Sequence, residues 1–356
     1  MPKTTPTTAK KKPAPRKPAS KKPAPRKRAP RTRVAVVVLG MHRSGTSALS
    51  GVLSHLGCDL PSKLMPAHED NSKGYFESLS INGLHDAMLA DAQSRWDDWL
   101  EVPKPWYASA PAKDFGAQAA AILEDEFAGA RQFILKDPRA CRLVPFWEGA
   151  FKAANITPRY VLTHRNPLEA AASLHKRDLI DHNLALLIWL RHVLDAEKFT
   201  RGSPRIFTSY AAVLEDWERA AKRIQKALKL RLTWNAPDLA RTIDTFLSPA
   251  LKHHDFSAES VAQDPQTAGW VRDTFAVMER WAEAGEDPAD FKVLDRVRSA
   301  LRQTAPAFAA LLSAGRTDAQ RLREVSCHAT ALEEKVQHVE SELLTRSQTL
   351  DRANKR

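Results

Sequence analysis

The residues best suited to chemistry lie in a short polar turn bracketed by Gly40 and Gly45. The functional side chains in and just after this turn are those of Arg43, Ser44, Thr46 and Ser47. Backbone N–H groups in such a turn point outward, and the N-terminus of a following helix adds partial positive charge. The turn therefore predicts an anion-binding site. The alternative is an ordinary tight turn between a strand and a helix.

Two regular elements must flank this turn in order to position it. Residues 34–39 have the sequence Val-Ala-Val-Val-Val-Leu, an uncharged run that predicts a strand buried on both faces of a parallel sheet. After the turn, apolar residues recur at helical spacing, and Gly57 follows as a stop signal. The turn is thus predicted to join a buried strand to the start of a helix.

The turn differs from a Walker A nucleotide loop at one position. Its two glycines have the Walker A spacing, but Thr46 stands where that loop has its lysine. The cation is supplied instead by Arg43. A nucleoside triphosphate would therefore lack the usual point charge at its β- and γ-phosphates.

A second group of candidate residues follows later in the chain. Predicted strands over residues 133–135, 160–163 and 205–208 end in Lys136, in Arg165 and just before Tyr210. Ser173 comes eight residues after Arg165, and Arg177 follows one helical turn later. Sites in parallel sheets lie at the carboxyl ends of the strands. We therefore expect all of these residues and the glycine-bracketed turn to share one edge.

The alternation of strands and helices predicts an α/β fold with a parallel central sheet flanked by helices. Residues 34–314 are assigned to this domain, with a helical C-terminal part. Residues 1–33 are predicted to be a disordered arm, and residues 315–356 a coiled coil or a long amphipathic helix.

Over residues 34–230 the two motifs resemble those of the sulfotransferases, including tyrosine and carbohydrate sulfotransferases. The resemblance implies a P-loop-like fold and a sulfuryl donor, 3′-phosphoadenosine 5′-phosphosulfate (PAPS). It implies that the 5′-phosphosulfate is bound by Gly40, Arg43, Ser44, Gly45, Thr46 and Ser47. It implies that the 3′-phosphate is bound by Arg165, Ser173 and Arg177, and the adenosine by Tyr210.

The resemblance also implies roles in the transfer step. Lys136 resembles a lysine that protein-tyrosine sulfotransferases hold near the bridging oxygen, although a structural ion pair with Asp137 is the alternative. A glutamate shortly after the first helix implies a general base, for which we prefer Glu77 because its aromatic neighbours suggest burial. Glu69 and His42 remain open as alternatives.

Other functions stay open at this point. One is a nucleotide kinase or NTPase with a degenerate phosphate loop, and another is a non-catalytic scaffold. The sequence has no HExxH motif, no DxD-like acidic cluster and no Cys/His ligand spacing, so no metal is predicted. A tryptophan-rich insert around Trp96 favours a hydroxyl acceptor on a saccharide or a glycolipid.

The charge of the chain is concentrated at its N-terminus. Net charge is +12, but residues 1–33 contain 13 of the 54 lysine and arginine residues and no acidic residue, so the remainder is close to neutral. The arm predicts contact with a polyanion or an anionic membrane surface, or else serves only solubility. Three widely spaced cysteines and the lack of an apolar signal segment favour the cytoplasm.

The C-terminal segment has a heptad pattern. Apolar residues follow alternating steps of three and four, interrupted by Arg346, at Leu322, Val325, Ala329, Leu332, Val336, Val339, Leu343 and Leu350. The pattern predicts a homodimer through residues 317–350. The alternative is a single amphipathic helix packed on the body of the protein.

Overall fold

The computed structural model describes residues 32–247 except 69, 70 and 72, residues 258–265, and residues 267–354. Four strands form one parallel sheet: β1 (Arg33–Leu39), β2 (Gln132–Lys136), β3 (Ile156–His164) and β4 (Arg205–Ser209). Their order in the sheet is β2-β1-β3-β4, so β1 lies inside. The predicted α/β fold with a parallel sheet flanked by helices is confirmed.

Helices connect these strands and continue after them. They are α1 (Thr46–His55), α2 (Leu79–Asp91), α3 (Ala110–Glu126), α4 (Ala140–Ala153), α5 (Pro167–Asp178), α6 (His182–Phe199), α7 (Tyr210–Glu215), α8 (Trp217–Leu228), α9 (Leu239–Phe246), α10 (Ala258–Gln263), α11 (Gly269–Ala284) and α12 (Phe291–Asn354). Short 3₁₀ helices cover Lys104–Ala108 and Pro288–Asp290.

The sheet is buried on both faces, as the uninterrupted apolar run of β1 predicts. On one face, Ala35, Val37 and Leu39 pack into a cluster formed with α2, α3, α4, α6 and α11. On the other face, Val36 and Val38 pack against α1 and α8. The alternation of side chains along β1 thus supplies both layers of the core.

Two parts of the secondary structure are not evident from the sequence pattern. Residues 57–111 have an irregular pattern broken by prolines, yet they contain α2, which begins where the Ser78 hydroxyl accepts a hydrogen bond from the Ile81 N–H at 2.9 Å. The apolar pattern of residues 211–229 is that of one continuous helix, but the structure has two helices there, α7 and α8. Asp216 separates them because its backbone is non-helical, with φ −149° and ψ 81°, and its carboxylate caps α8 at the Arg219 N–H.

The C-terminal helix α12 is 64 residues long and continues through position 315, where the sequence suggested a domain boundary. The basic arm, for which contact with a polyanion or an anionic membrane is predicted, lies outside the described residues except for its last two positions. No helix in the described part of the chain is long and apolar enough to cross a membrane.

Candidate functional site

The turn after β1 requires glycine at both of its ends. A Cβ atom at Gly40 would lie 2.5 Å from the Thr163 carbonyl oxygen of β3. Gly45 has a φ of +80°, and a Cβ atom there would lie 2.3 Å from Cδ2 of Tyr210. The backbone therefore passes close to both β3 and the start of α7.

This approach joins the two motifs that are about 120 residues apart in sequence. Arg43 donates a hydrogen bond from Nε to Oγ of Ser173 at 2.8 Å. Arg165 donates from Nη1 to the Arg43 carbonyl oxygen at 3.4 Å. Two arginines and a serine, predicted to bind opposite ends of one donor, thus lie together. Arg43, predicted to bind the 5′-phosphosulfate, thus contacts Ser173, which is predicted to bind the 3′-phosphate. The assignment of Arg43 to the 5′ end stays a prediction.

Arg165 is buried and held on two sides. Its Nε donates to Glu169 at 2.6 Å, and its guanidinium lies 5.0 Å from the centroid of the Tyr210 ring. Its buried Nη2 has no hydrogen-bond partner among the described residues. A buried guanidinium N–H without a partner is costly, and an anion would satisfy it.

Arg177 extends toward another neighbour. Its Nε donates to Asp178 at 2.7 Å, and its guanidinium lies 5.6 Å from the centroid of the Trp96 ring. Trp96 also packs against His42, with 4.6 Å between the ring centroids. The predicted role of Arg177 at the 3′-phosphate stays a prediction.

The hydroxyl groups of the turn divide between two environments. Ser44 is buried, and its Oγ has no hydrogen-bond partner among the described residues. Ser47 faces the end of β2, where its Oγ accepts from Nζ of Lys136 at 3.2 Å. Thr46 is buried at the first position of α1. Ser44 Oγ and Arg165 Nη2 are therefore the two buried polar atoms best suited to a phosphate or sulfate oxygen.

Lys136 and Glu77 form a buried ion pair. Lys136 Nζ donates to Oε1 of Glu77 and, at 2.9 Å, to the Tyr75 carbonyl oxygen. Burial raises the pKa of Glu77 above its ordinary value, although the neighbouring Lys136 ammonium acts in the opposite direction. The alternative to a role in transfer was an ion pair between Lys136 and Asp137. In the structure the Lys136 ammonium pairs with Glu77 instead.

Asp137 has partners of its own that the sequence did not reveal. His85 Nδ1 lies 3.3 Å from Oδ2 of Asp137, and the Arg139 N–H donates to Oδ1 at 2.8 Å. Burial opposes ionisation of Asp137, but Arg139 and His85 outweigh it and hold its pKa well below its usual range. Asn82 Nδ2 lies 3.4 Å from both Asp137 Oδ2 and Glu77 Oε2, so it links the two carboxylates.

The other two candidates for the general base are His42 and Glu69. His42 has a buried Nε2 without a hydrogen-bond partner in the described part of the chain. Burial, with smaller contributions from Arg139 and Arg177, lowers its pKa well below 6.5. Glu69 lies outside the described residues.

The tryptophan-rich insert belongs mostly to the core. Trp99 and Trp106 are buried, with 1% and 8% of their surfaces exposed. Their rings fill space in the core, so these two residues do not line an acceptor pocket. Trp96 is partly exposed and lies against His42 and Arg177.

The fold and this site define an α/β protein with a glycine-bracketed turn, a candidate anion site, at the carboxyl edge of its parallel sheet. No protein-family model matches the chain, and no curated protein matches it.

Among solved structures, the chain is similar to the sulfotransferase domain from the curacin biosynthetic pathway. Identity is 14% and the TM-score is 0.38, covering 76% of this chain and 98% of that chain. It is also similar to the sulfotransferase domain from the Synechococcus PCC 7002 olefin synthase. There identity is 16% and the TM-score is 0.41, covering 72% of this chain and 97% of that chain. Both structures are named as sulfotransferase domains, the class that the motifs of residues 34–230 resemble.

Proposed function

We propose that this protein is a sulfotransferase that moves a sulfuryl group from PAPS to a hydroxyl acceptor. The observation that supports this most is the contact between the two separated motifs. Arg43 bonds to Ser173, and Arg165 bonds to the Arg43 backbone, at one edge of the sheet. A donor that carries a 3′-phosphate and a 5′-phosphosulfate on one ribose matches two such cationic groups placed side by side.

The residues at this edge fit such a donor. Arg43, the amides of the turn and the Ser44 hydroxyl are assigned to the phosphosulfate, since a helix N-terminus favours negative charge. Arg165 and Ser173 are assigned to the 3′-phosphate, and the unpartnered Nη2 of Arg165 is the group that gains most from it. The Tyr210 ring, stacked under Arg165, is assigned to the adenosine.

Lys136 and Glu77 are assigned to the transfer itself. In the reaction a bond forms between the acceptor oxygen and sulfur, and the bond between sulfur and the bridging oxygen breaks. The electron pair leaves with that oxygen as adenosine 3′,5′-bisphosphate. Glu77 takes the acceptor proton, and the Lys136 ammonium neutralises charge on the leaving group. The raised pKa of Glu77 suits a proton acceptor.

The acceptor we propose is a saccharide or glycolipid hydroxyl. The support is the partly exposed Trp96 ring beside the turn, because sugar rings stack on aromatic faces. Free thiols at Cys58, Cys141 and Cys327 support a reducing compartment such as the cytoplasm.

The donor site can be tested by substitution of Arg165. Replacing Arg165 with alanine should weaken binding of adenosine 3′,5′-bisphosphate by roughly 10- to 100-fold, because a charge-assisted contact is lost. Ser173→Ala removes one hydroxyl and no charge, so it should weaken binding by about tenfold or less. Isothermal titration calorimetry on each variant measures both effects.

The matched control is Arg159, on the same strand but about 17 Å before its carboxyl end. Arg159→Ala should leave the dissociation constant unchanged. If Arg165→Ala is folded, as judged by its melting temperature, and still binds as tightly as the native chain, the assignment of Arg165 is wrong.

A further inference from the structure

The second half of α12 carries an apolar stripe that nothing in the described structure covers. The stripe consists of Val325, Ala329, Leu332, Val336, Val339 and Leu343. Its large members are 52–67% exposed, and none belongs to either hydrophobic cluster of the body. Residues 325–343 therefore do not pack on the body, contrary to the alternative of an amphipathic helix packed there. Such a contiguous row of exposed apolar side chains on a long helix indicates a binding surface.

The spacing of the stripe identifies the geometry of its partner. Steps of four and three alternate without interruption from Val325 to Leu343. A repeat of 3.5 residues keeps a seam in contact with another helix that supercoils around it. Ala329, Val336 and Leu343 then occupy heptad position a, and Val325, Leu332 and Val339 occupy position d. We propose that the stripe pairs with the same stripe of a second copy of this chain, in a parallel two-stranded coiled coil.

The narrow width of the stripe favours two strands. The flanking e and g positions are all polar: Ser326, His328, Glu333, Lys335, Glu340 and Glu342. Assemblies of three or more helices bury much of the e and g positions, whereas a two-stranded coil leaves them in solvent. Charged residues at these positions therefore favour a dimer.

The charges favour the parallel orientation. In a parallel pair, each g residue faces the e residue five positions later on the second copy. Lys335 then faces Glu340 of the second copy, and His328 faces Glu333 of the second copy. In an antiparallel pair, e faces e and g faces g, so the attraction between Lys335 and Glu342 is offset by repulsion between the glutamates at positions 333 and 340. Among the described ion pairs, none includes Glu333, Lys335 or Glu340, so these charges are available for contacts between copies.

Sedimentation and disulfide trapping of the full-length chain test the proposal. The exposed Cys327, at position f, is first replaced with serine. Ala329→Cys and Leu343→Cys are then made separately in that background. A parallel dimer in register brings both positions against their own copies, so both variants should form covalent dimers under mild oxidation. No antiparallel alignment can trap both, because its two-fold axis crosses the seam at one place only.

The native chain is the matched control, because Cys327 at position f faces away from the seam and should not crosslink. The proposal is supported by a dimer in sedimentation together with trapping at both positions. It is overturned by a monomer at all concentrations tested, by a trimer or larger assembly, or by trapping at one position or neither.

Charge reversal tests the orientation independently. Lys335→Glu replaces two attractive contacts per dimer with repulsive ones, so the dimer dissociation constant should rise about tenfold. The double variant Lys335→Glu/Glu340→Lys should restore it. Glu334→Lys, at the outward position f, is the control and should have little effect. A dissociation constant that is equally sensitive at positions 334 and 335 would contradict the parallel seam.

Discussion

At the scale of the residue, the pair of Lys136 and Glu77 carries most of the proposed chemistry. Both side chains are buried, with 2% and 6% of their side-chain surfaces exposed. Burial disfavours the charged form of a carboxylate, and this raises the pKa of Glu77 despite its contact with Lys136. A carboxylate with a raised pKa is a stronger base than an exposed one, which is what removal of a hydroxyl proton requires.

Replacement of Glu77 with glutamine should lower turnover by roughly 10²- to 10⁴-fold, because the proton acceptor is lost while the shape of the site is kept. Binding of adenosine 3′,5′-bisphosphate should survive. The measurements are initial rates with labelled donor and calorimetry of the product nucleotide. Unchanged turnover would reassign the base to His42 or Glu69.

The pH profile of the native chain tests the same assignment. Glu77 must be ionised to accept a proton, so turnover should fall as pH is lowered through its pKa. Because that pKa is raised, the fall should begin at a higher pH than for an ordinary carboxylate. In the glutamine variant this acid limb should disappear. A native profile that is flat down to the ordinary carboxylate range would contradict the role of Glu77.

Some of these contacts could be predicted from the sequence and others could not. Arg43, Ser173 and Arg165 carry recognisable motifs, and the topology of a parallel sheet brings them to one edge. The link that Asn82 makes between Glu77 and Asp137 has no sequence signature, because it depends on where α2 packs. Ser78, which caps the N-terminus of α2, is a local sequence signal for the start of that helix.

At the scale of the element, the site depends on how closely the turn after β1 approaches the start of α7. Gly45 has a positive φ, and the Tyr210 ring occupies the space where a side chain would be. Ser209 caps α7 by accepting a hydrogen bond from the Ala212 N–H at 3.1 Å, which fixes the position of Tyr210. The glycine therefore sets both the path of the turn and the place of the aromatic ring.

Gly45→Ala should abolish binding of adenosine 3′,5′-bisphosphate and lower the melting temperature, since the added methyl group would clash with the Tyr210 ring and strain the backbone. Gly149→Ala is the matched control. That glycine lies in α4 with nothing within 4 Å of the added Cβ, so the change should stabilise the protein by about 0.5–1 kcal/mol. Thermal unfolding measures both. Equal tolerance at the two positions would contradict this account of the turn.

The strands could be predicted at this scale because their apolar runs are continuous and buried on both sides. The break between α7 and α8 could not, because the apolar face of residues 211–229 keeps helical spacing across it. Asp216 is a good helix-capping residue and favours a break at this point. Its position within a continuous amphipathic pattern, however, also fits an unbroken helix.

At the scale of the whole molecule, one buried carboxylate ties three helices together. Asp195 of α6 accepts hydrogen bonds from Arg142 of α4 at 3.0 Å, from Arg191 at 3.2 Å and from Arg298 of α12 at 3.1 Å. Burial opposes its ionisation, but the three arginines outweigh burial and lower its pKa. The first part of α12 is thereby fixed to the body, from which its second half continues as the exposed stripe.

Asp195→Asn should lower the free energy of unfolding by about 3 kcal/mol or more, because three guanidinium groups lose the charge that compensates them in a buried site. Asp295→Asn is the control. That residue pairs with Lys198 and Arg201 at the surface, with its side chain 44% exposed, so its loss should cost about 1 kcal/mol or less. Urea unfolding measures both values, and similar costs at the two positions would contradict the proposed role of Asp195.

The most direct test of the central claim is calorimetry of the native chain with adenosine 3′,5′-bisphosphate and, separately, with ATP and Mg²⁺. The proposed function predicts tight binding of the bisphosphate without added metal and weak or no binding of ATP. Preference for ATP with Mg²⁺ would point instead to a kinase or NTPase. Binding of neither nucleotide would point to a non-catalytic scaffold. Preference for ATP with Mg²⁺ and binding of neither would each contradict the claim that Arg43 and Arg165 hold one doubly phosphorylated adenosine.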